Sequence, residues 1–281
     1  MIKLDAKIYL KRFLEELKLR GLSKDTIEAY GYANSKFLEF IKKEPKYVTR
    51  RDIKNYLHYL IDKNNKPKTV NLSIAAMKSF YDEFMGRRLF SRIRRVKPEK
   101  RMPVVLSKQE IKKMIEVISN EKHRLIIKFL YSTGVRAGEL IKVRVADVDL
   151  ENGFVRILQG KGKKDRLTTV SIELCNEIKE YLKDKEQEFL FESNRRGHPT
   201  VRSVEETVKK ASTLAGIKRS IFPHVFRASF ATHLYEDGTQ LQKIQKLMGH
   251  QSPRTTFEYA KTANVNIIDV ENPLDKLKMI D

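Results

Sequence analysis

Five short stretches in the C-terminal two thirds of the chain carry side chains suited to chemistry at a phosphate. They are TGVRAGEL with Arg136, GKGKK with Lys161, PHVFRASFATHL with His224 and Arg227, LMGH with His250, and TTFEYAK with Tyr259. A guanidinium is planar, stays charged at any working pH and can donate two parallel hydrogen bonds to non-bridging oxygens. An imidazole titrates near neutrality and so can take up or release protons. A phenol is a nucleophile, but its free pKa of about 10 leaves it mostly protonated at neutral pH, so a base or a strong positive field must promote attack. Taken one at a time, each of these residues has a plain structural reading. A tyrosine in a C-terminal helix is ordinary packing, two histidines can be unrelated structural side chains, and a lysine-rich hairpin tip is ordinarily solvated.

The elements that must position them follow from hydrophobic spacing and punctuation. Residues 1–85 read as four short helices. The first carries Ile8, Phe13, Leu14 and Leu17 on one stripe; the second is N-capped by Ser23 and carries Ile27, Tyr30, Phe37, Leu38 and Ile41. Thr49 and Asp52 have capping-box spacing ahead of Ile53, Tyr56, Leu57 and Leu60, and a fourth helix is predicted over about 68–84. GRRLFSRIRRVKPEKRMP, dense in Arg and Lys and poor in apolar residues, is expected to be an extended, exposed linker over 86–103. Beyond it, Ser107 and Glu110 open a helix, a second covers 125–131, and Gly134 marks a turn. FVRIL and RLTTV flank GKGKKD and predict a small antiparallel hairpin with a basic tip. Helices are expected near 171–184, 201–215, 224–236 and 239–248. The expected architecture is mainly α, in two domains: a four-helix unit over 1–85 and, over 104–281, a mostly helical unit with a small antiparallel sheet.

Composition narrows the partner. With 57 Lys and Arg against 36 Asp and Glu, the chain has a formal charge of +21, a field that favours a polyanion such as nucleic acid. Ribosomal and membrane-surface proteins are basic too, so charge alone does not decide. No run of eighteen apolar residues and no signal-like leader is evident, which predicts an intracellular, cytoplasmic protein with no membrane partner. The single cysteine, Cys175, can form neither an internal disulfide nor a CxxC metal site and reads as core filler. GKGKK lacks P-loop spacing, and neither HExxH nor DxDxDG occurs.

The order and spacing of the five stretches resemble the tyrosine recombinase (phage integrase) family over roughly residues 103–265. Compact length and motif spelling look most like its Xer-type chromosome-dimer resolvases, of archaeal kind given the Lys-rich composition. The resemblance implies a SAM-like core-DNA-binding N-terminal domain and a catalytic C-terminal domain. It implies that Tyr259 attacks DNA to give a 3′-phosphotyrosyl link and a free 5′-hydroxyl, with Arg136 and Arg227 clamping the phosphate. His224 and His250 would hydrogen-bond the phosphate and handle protons, and Lys161 would be the general acid, with Lys163 and Lys164 as rivals on the same loop. Glu139, three residues beyond Arg136 on what reads as one helix, is a candidate to orient the guanidinium; a solvated helix pair is the alternative. No metal, nucleotide or other cofactor is implied. Many relatives carry a second histidine directly after the second arginine, where this chain has Ala228.

The implied partner is double-stranded DNA, gripped on opposite faces by the two domains as a homotetramer on two DNA sites, with a monomer or dimer expected without DNA and a nucleoid-associated location. Arg87, Arg88, Arg92, Arg94, Arg95, Lys97 and Arg101 in the linker, with Lys163 and Lys164, are the candidate phosphate contacts. Thr69, Asn71 and Lys78 are candidates to read bases from the fourth helix. The tail beyond Tyr259, with Val265, Ile267, Ile268, Val270 and Leu274, is expected to dock on a neighbouring subunit. The natural task reads as chromosome-dimer resolution at a dif-like site. Rival readings are an integrase of a mobile element, a type IB topoisomerase-like relaxing enzyme, and a DNA- or RNA-binding module without activity.

Overall fold

The computed structural model describes residues 4–97, 102–158, 165–193, 197–250 and 252–263. The chain divides into two compact units, Met1–Lys100 and Arg101–Asp281.

The first unit holds α1 (Leu4–Leu19), α2 (Lys24–Ile41), α3 (Arg50–Asp62) and α4 (Pro67–Lys78), the last continuing through a widened π turn over Ser79–Phe84. Ser23 Oγ accepts from the Thr26 amide to cap α2, and Thr49 with Asp52 forms a reciprocal capping box on α3. The apolar stripes close on an aromatic core in which Phe13 and Phe37 meet Phe80 and Tyr81, three of the contacts being edge-on. Asn34, fully buried, donates its amide to the carbonyls of Tyr30 and Ala76, tying α2 to α4.

The stretch after α4 departs from the expected exposed linker. Phe90 is buried, and Leu89, Ile93 and Val96 pack against the first unit's core. The Asp82 carboxylate accepts from the Phe90 amide, and Asn71 clamps Val96 by donating to its carbonyl at 2.8 Å and accepting from its amide at 2.9 Å. Apolar residues scattered among arginines were enough to fold the segment back, because the helical core offers a surface that periodicity within the segment does not reveal. Asn71 is therefore committed to a structural clamp, which corrects its assignment as a base-reading side chain; Thr69 and Lys78 remain exposed on α4. Arg87 donates to the Pro45 carbonyl, whereas Arg88, Arg92, Arg94, Arg95 and Lys97 are exposed.

The second unit contains α5 (Lys108–Glu116), α6 (Glu121–Thr133), α7 (Ala137–Leu140), β1 (Val148–Asp149), β2 (Phe154–Ile157), β3 (Arg166–Thr169), α8 (Ile172–Leu182), α9 (Val201–Leu214), α10 (Pro223–Glu236), α11 (Leu241–Met248) and α12 (Pro253–Ala260). The sheet is antiparallel in the order β1-β2-β3, with Val155 opposite Thr168 and Ile157 opposite Arg166. β1 adds a strand to the expected hairpin. The main core gathers around α6 and includes Phe129, Leu130, Ile178, Phe191 and Phe226, with Cys175 buried in it. A smaller cluster of Ala228, Phe230, Ala231, Ile244, Met248 and Tyr259 joins α10, α11 and α12. Ala228, 2% exposed, sits inside that cluster and belongs to the packing of these helices.

Among the described residues, no helix is long and apolar enough to cross a membrane. Replacing Asn71 with Ala removes both bonds to Val96, at a net cost on the order of 1 kcal/mol. Limited trypsin digestion is then expected to cut after Arg92, Arg94 and Arg95 faster than in the wild type; unchanged cleavage would show that the clamp does not hold the segment.

Candidate active site

The site is built where the ends of α6 and α11, the start of β3, and helices α10 and α12 come together. α6 ends at Gly134, whose left-handed φ of 60° terminates the helix; a Cβ there would lie 2.3 Å from the Phe230 ring, so only glycine fits. The turn delivers Arg136, which is the N-cap of the four-residue α7 rather than a residue within a helix, as its spacing from Glu139 had suggested. Glu139 completes the cap by accepting from the Arg136 amide at 2.8 Å and from its Nη1 at 2.7 Å. The Thr168 hydroxyl donates to the Thr133 carbonyl, fixing β3 beside this turn.

The same carboxylate receives a second arginine that sequence reasoning missed. Arg166, at the start of β3, donates from Nη1 at 2.9 Å and Nη2 at 2.7 Å to the two oxygens of Glu139, and from Nε to the Leu247 carbonyl at the end of α11. In RLTTV the apolar residue invites an inward Leu167, but Leu167 is 60% exposed and the inward face is Arg166, Thr168 and Val170. The signal was present in the period-2 register with buried Val170, and it was masked because an inward arginine becomes tolerable only when a distant carboxylate meets it.

Arg227 on α10 is 1% exposed. It donates Nη1 to the Gly134 carbonyl at 2.6 Å and Nη2 to the Met248 carbonyl, and its Nη1 lies 4.0 Å from Glu139. Its Nε is buried without a hydrogen-bond partner among the described residues. The guanidinium is thus anchored by the backbone at both ends of the site and does not present an entirely free fork. Arg136, by contrast, keeps about a third of its side chain exposed.

Tyr259, on α12, is 5% exposed, and its hydroxyl lies 3.5 Å from His224 Nε2. The His250 and Tyr259 rings are 5.9 Å apart, and His250 Nδ1 shares a 2.8 Å hydrogen bond with the Thr256 hydroxyl. His250 is aimed by Gly249, in a left-handed conformation, directly after α11. Arg136, His224, Arg227, His250 and Tyr259 therefore converge in one cluster, with Glu139 and Arg166 beneath it. Lys161, Lys163, Lys164 and Arg101 lie outside the described residues, as does the tail beyond residue 263.

The electrostatics follow from this crowding. Burial alone would raise the Glu139 pKa, but the Arg166 fork, the Arg136 amide and both positive charges outweigh it and hold the carboxyl at about 2. Burial and then the charges of Arg227, Arg136 and Arg166 push His250 down to about 3, and His224 is lowered by desolvation, Arg227 and Arg136. Both shifts favour the neutral imidazole, and the deep depression of His250 makes it a weak base suited to hydrogen bonding, which leaves His224 as the better proton acceptor. Burial raises the Tyr259 phenol, opposed by Arg227 and Arg136. Resting Tyr259 is thus protonated in a positive field. Among the described residues, no group of three or more His, Cys, Asp or Glu side chains could hold a metal ion.

Residues 104–265 match the phage integrase family, and residues 9–90 match the phage integrase N-terminal SAM-like domain. The tyrosine recombinase XerA of Pyrococcus furiosus is 38% identical over 260 residues, 90% of this chain and 88% of that protein. XerA of Pyrococcus horikoshii is 34% identical over 97% of this chain and 94% of its own length. A crystal structure of XerA recombinase matches with a TM-score of 0.54 at 31% identity, covering 96% of this chain and 97% of the other. The fold also recurs in XerH site-specific recombinase bound to difH substrate, with a TM-score of 0.69 at 22% identity over 95% of this chain and 83% of the other. The chain belongs to the phage integrase, or tyrosine recombinase, family. It binds DNA and catalyses the cleavage and rejoining of its strands.

Glu139 has a depressed folded-state pKa, so its contribution to stability is complete above its ordinary value of 4.5 and is lost as pH falls toward 2. His250 is also depressed, and because it is a base its neutral folded state costs stability as pH falls below 6.5 toward 3. Glu139→Gln leaves three guanidiniums uncompensated and is expected to cost roughly 3–5 kcal/mol at pH 7. Denaturant titrations across pH should show the variant losing the part of the acid limb below about 4.5. A variant whose stability tracks the wild type at every pH would rule out this charge balance.

Proposed function

We propose that this chain is a site-specific recombinase in which Tyr259 is the nucleophile, acting through a 3′-phosphotyrosyl intermediate. The observation that carries the reading is the convergence of Arg136 from the start of α7, His224 and Arg227 from α10, and His250 from the end of α11 beside Tyr259 of α12. In this scheme His224 takes the phenol proton as the Tyr259 oxygen attacks phosphorus, and the bond from phosphorus to the 5′ oxygen breaks. Arg136 and Arg227 stabilise the charge gathering on the non-bridging oxygens, and His250 adds a hydrogen bond. Lys161, or failing it Lys163 or Lys164, gives a proton to the departing 5′ oxygen. The energy of the phosphodiester is kept in the tyrosyl ester, and attack by a 5′-hydroxyl reverses the steps without ATP.

The biological task we propose is chromosome-dimer resolution at a dif-like site. Support comes from relatives named XerA at 31–38% identity over nearly the whole chain. The active assembly is proposed to be a homotetramer on two sites; a lambda integrase of the same fold is known as a tetramer bound to a Holliday junction. The proposed division is a core-DNA-binding domain over 1–85, a basic segment over 86–103 whose Leu89, Phe90, Ile93 and Val96 pack on that domain, and a catalytic domain over 104–281, acting at the nucleoid in the cytoplasm. The exposed Arg88, Arg92, Arg94, Arg95 and Lys97 are proposed phosphate contacts.

A nicked suicide duplex carrying the target site separates the readings. Wild type is expected to accumulate covalent protein–DNA complex and Tyr259→Phe none; trapping by Tyr259→Phe would remove it as nucleophile. Exchange between two marked sites is expected, whereas relaxation without exchange would favour a topoisomerase. Replacing Arg92, Arg94 and Arg95 together should lower the slope of log affinity against log salt by roughly 0.9 for each phosphate that these arginines neutralise. An unchanged slope would remove these residues from the interface.

A further inference from the structure

Arg166 is a buried cation with three different attachments, each leading to an element that carries a reacting group. Its two Nη atoms fork onto Glu139, which holds Arg136 by side chain and backbone. Its Nε bonds to the Leu247 carbonyl, three residues before His250. Its own strand, β3, follows the GKGKKD loop that bears Lys161. Arg166 and Glu139 side chains are each only 8% exposed, whereas Arg136 is 32% exposed. Arg166 thus lies beneath Arg136 and faces protein rather than solvent. The fit is close: a Cβ on Gly249 would lie 2.7 Å from Arg166 Cδ, so glycine beside His250 is what admits the side chain.

We propose that Arg166 is a positioning residue for strand cleavage, locking the Glu139 carboxylate so that Arg136 and His250 are held in register around the phosphate. The inference rests on the reading of Tyr259 as nucleophile and adds to it a group that never touches DNA. A carboxylate gripped only by Arg136 could swing with it; a planar fork from below fixes the carboxylate plane, and the Nε bond ties that plane to the end of α11. Lysine retains the charge but cannot make the fork and the Leu247 bond together, so it is not a conservative replacement here.

The test compares wild type, Arg166→Lys, Arg166→Gln, Glu139→Gln and the Arg166→Lys/Glu139→Gln double variant. Covalent trapping on the nicked suicide duplex is followed against pH, alongside DNA affinity by filter binding and folded fraction by circular dichroism. Both Arg166 variants are expected to cleave on the order of 100-fold more slowly at saturating DNA, the scale of a misplacement of about 1 Å. Affinity should be unchanged, and the acid limb of the rate profile should move to higher pH as Glu139 loses its fork. The double variant should be no slower than the slower of its parents. The proposal is overturned by a wild-type rate in either Arg166 variant, by an unmoved acid limb with a rate that merely tracks folded fraction, or by multiplicative effects in the double variant. Absence of trapping by the wild type would sink the nucleophile reading and this inference with it, a result distinguishable because no variant is then needed.

Discussion

The burial of one carboxylate among three guanidiniums is the constraint on which the catalytic unit turns. Like charges this close repel strongly in a medium that screens poorly, and desolvation of each adds to the cost. Glu139 makes the arrangement tolerable: it is ion-paired to Arg136 and Arg166 and lies 4.0 Å from Arg227. One negative charge against three positive ones leaves a net positive pocket, which suits a site that must receive a phosphate. Burial, reinforced by the same imbalance, lowers the pKa values of His224 and His250, and the imbalance opposes the effect of burial on the Tyr259 phenol.

Backbone carbonyls do the remaining work of anchoring. Arg227 donates to Gly134 and Met248, and Arg166 to Leu247, so the ends of α6 and α11 are drawn to the buried cations. Helix C-termini expose carbonyls that lack intrahelical partners, and arginine donors satisfy them. The glycines that end these helices, Gly134 and Gly249, allow both the reversal of the chain and the close approach of Phe230 and Arg166. Packing and electrostatics are therefore one system here: the turns exist where the guanidiniums can reach them.

In the first unit, local patterning was a dependable guide because helix stripes and caps are decided within a few residues. Ser23, Thr49 and Asp52 cap as their spacing implies, and Phe13, Phe37 and Tyr56 face inward. The segment after α4 was not legible in the same way. Its arginines dominate the composition, yet Phe90 and Val96 fold back onto the helices through Asp82 and Asn71, partners eight and twenty-five residues away. Composition reports average solubility; it does not report the docking surface that a few apolar side chains can find.

Helical spacing and turn residues, which act within a few positions along the chain, were enough to predict the helical architecture and the antiparallel hairpin, and motif resemblance singled out Arg136, His224, Arg227, His250 and Tyr259 as candidates for one site. Folding in three dimensions is what makes Arg136 cap a helix, Asn71 bind backbone, two carbonyls anchor Arg227 and Arg166 lie beneath the site. Each of those facts depends on where a group's hydrogen-bonding partner lies in space. An arginine at the start of a strand reads as solvated until a carboxylate twenty-seven residues earlier in the chain is brought to within 2.7 Å of it.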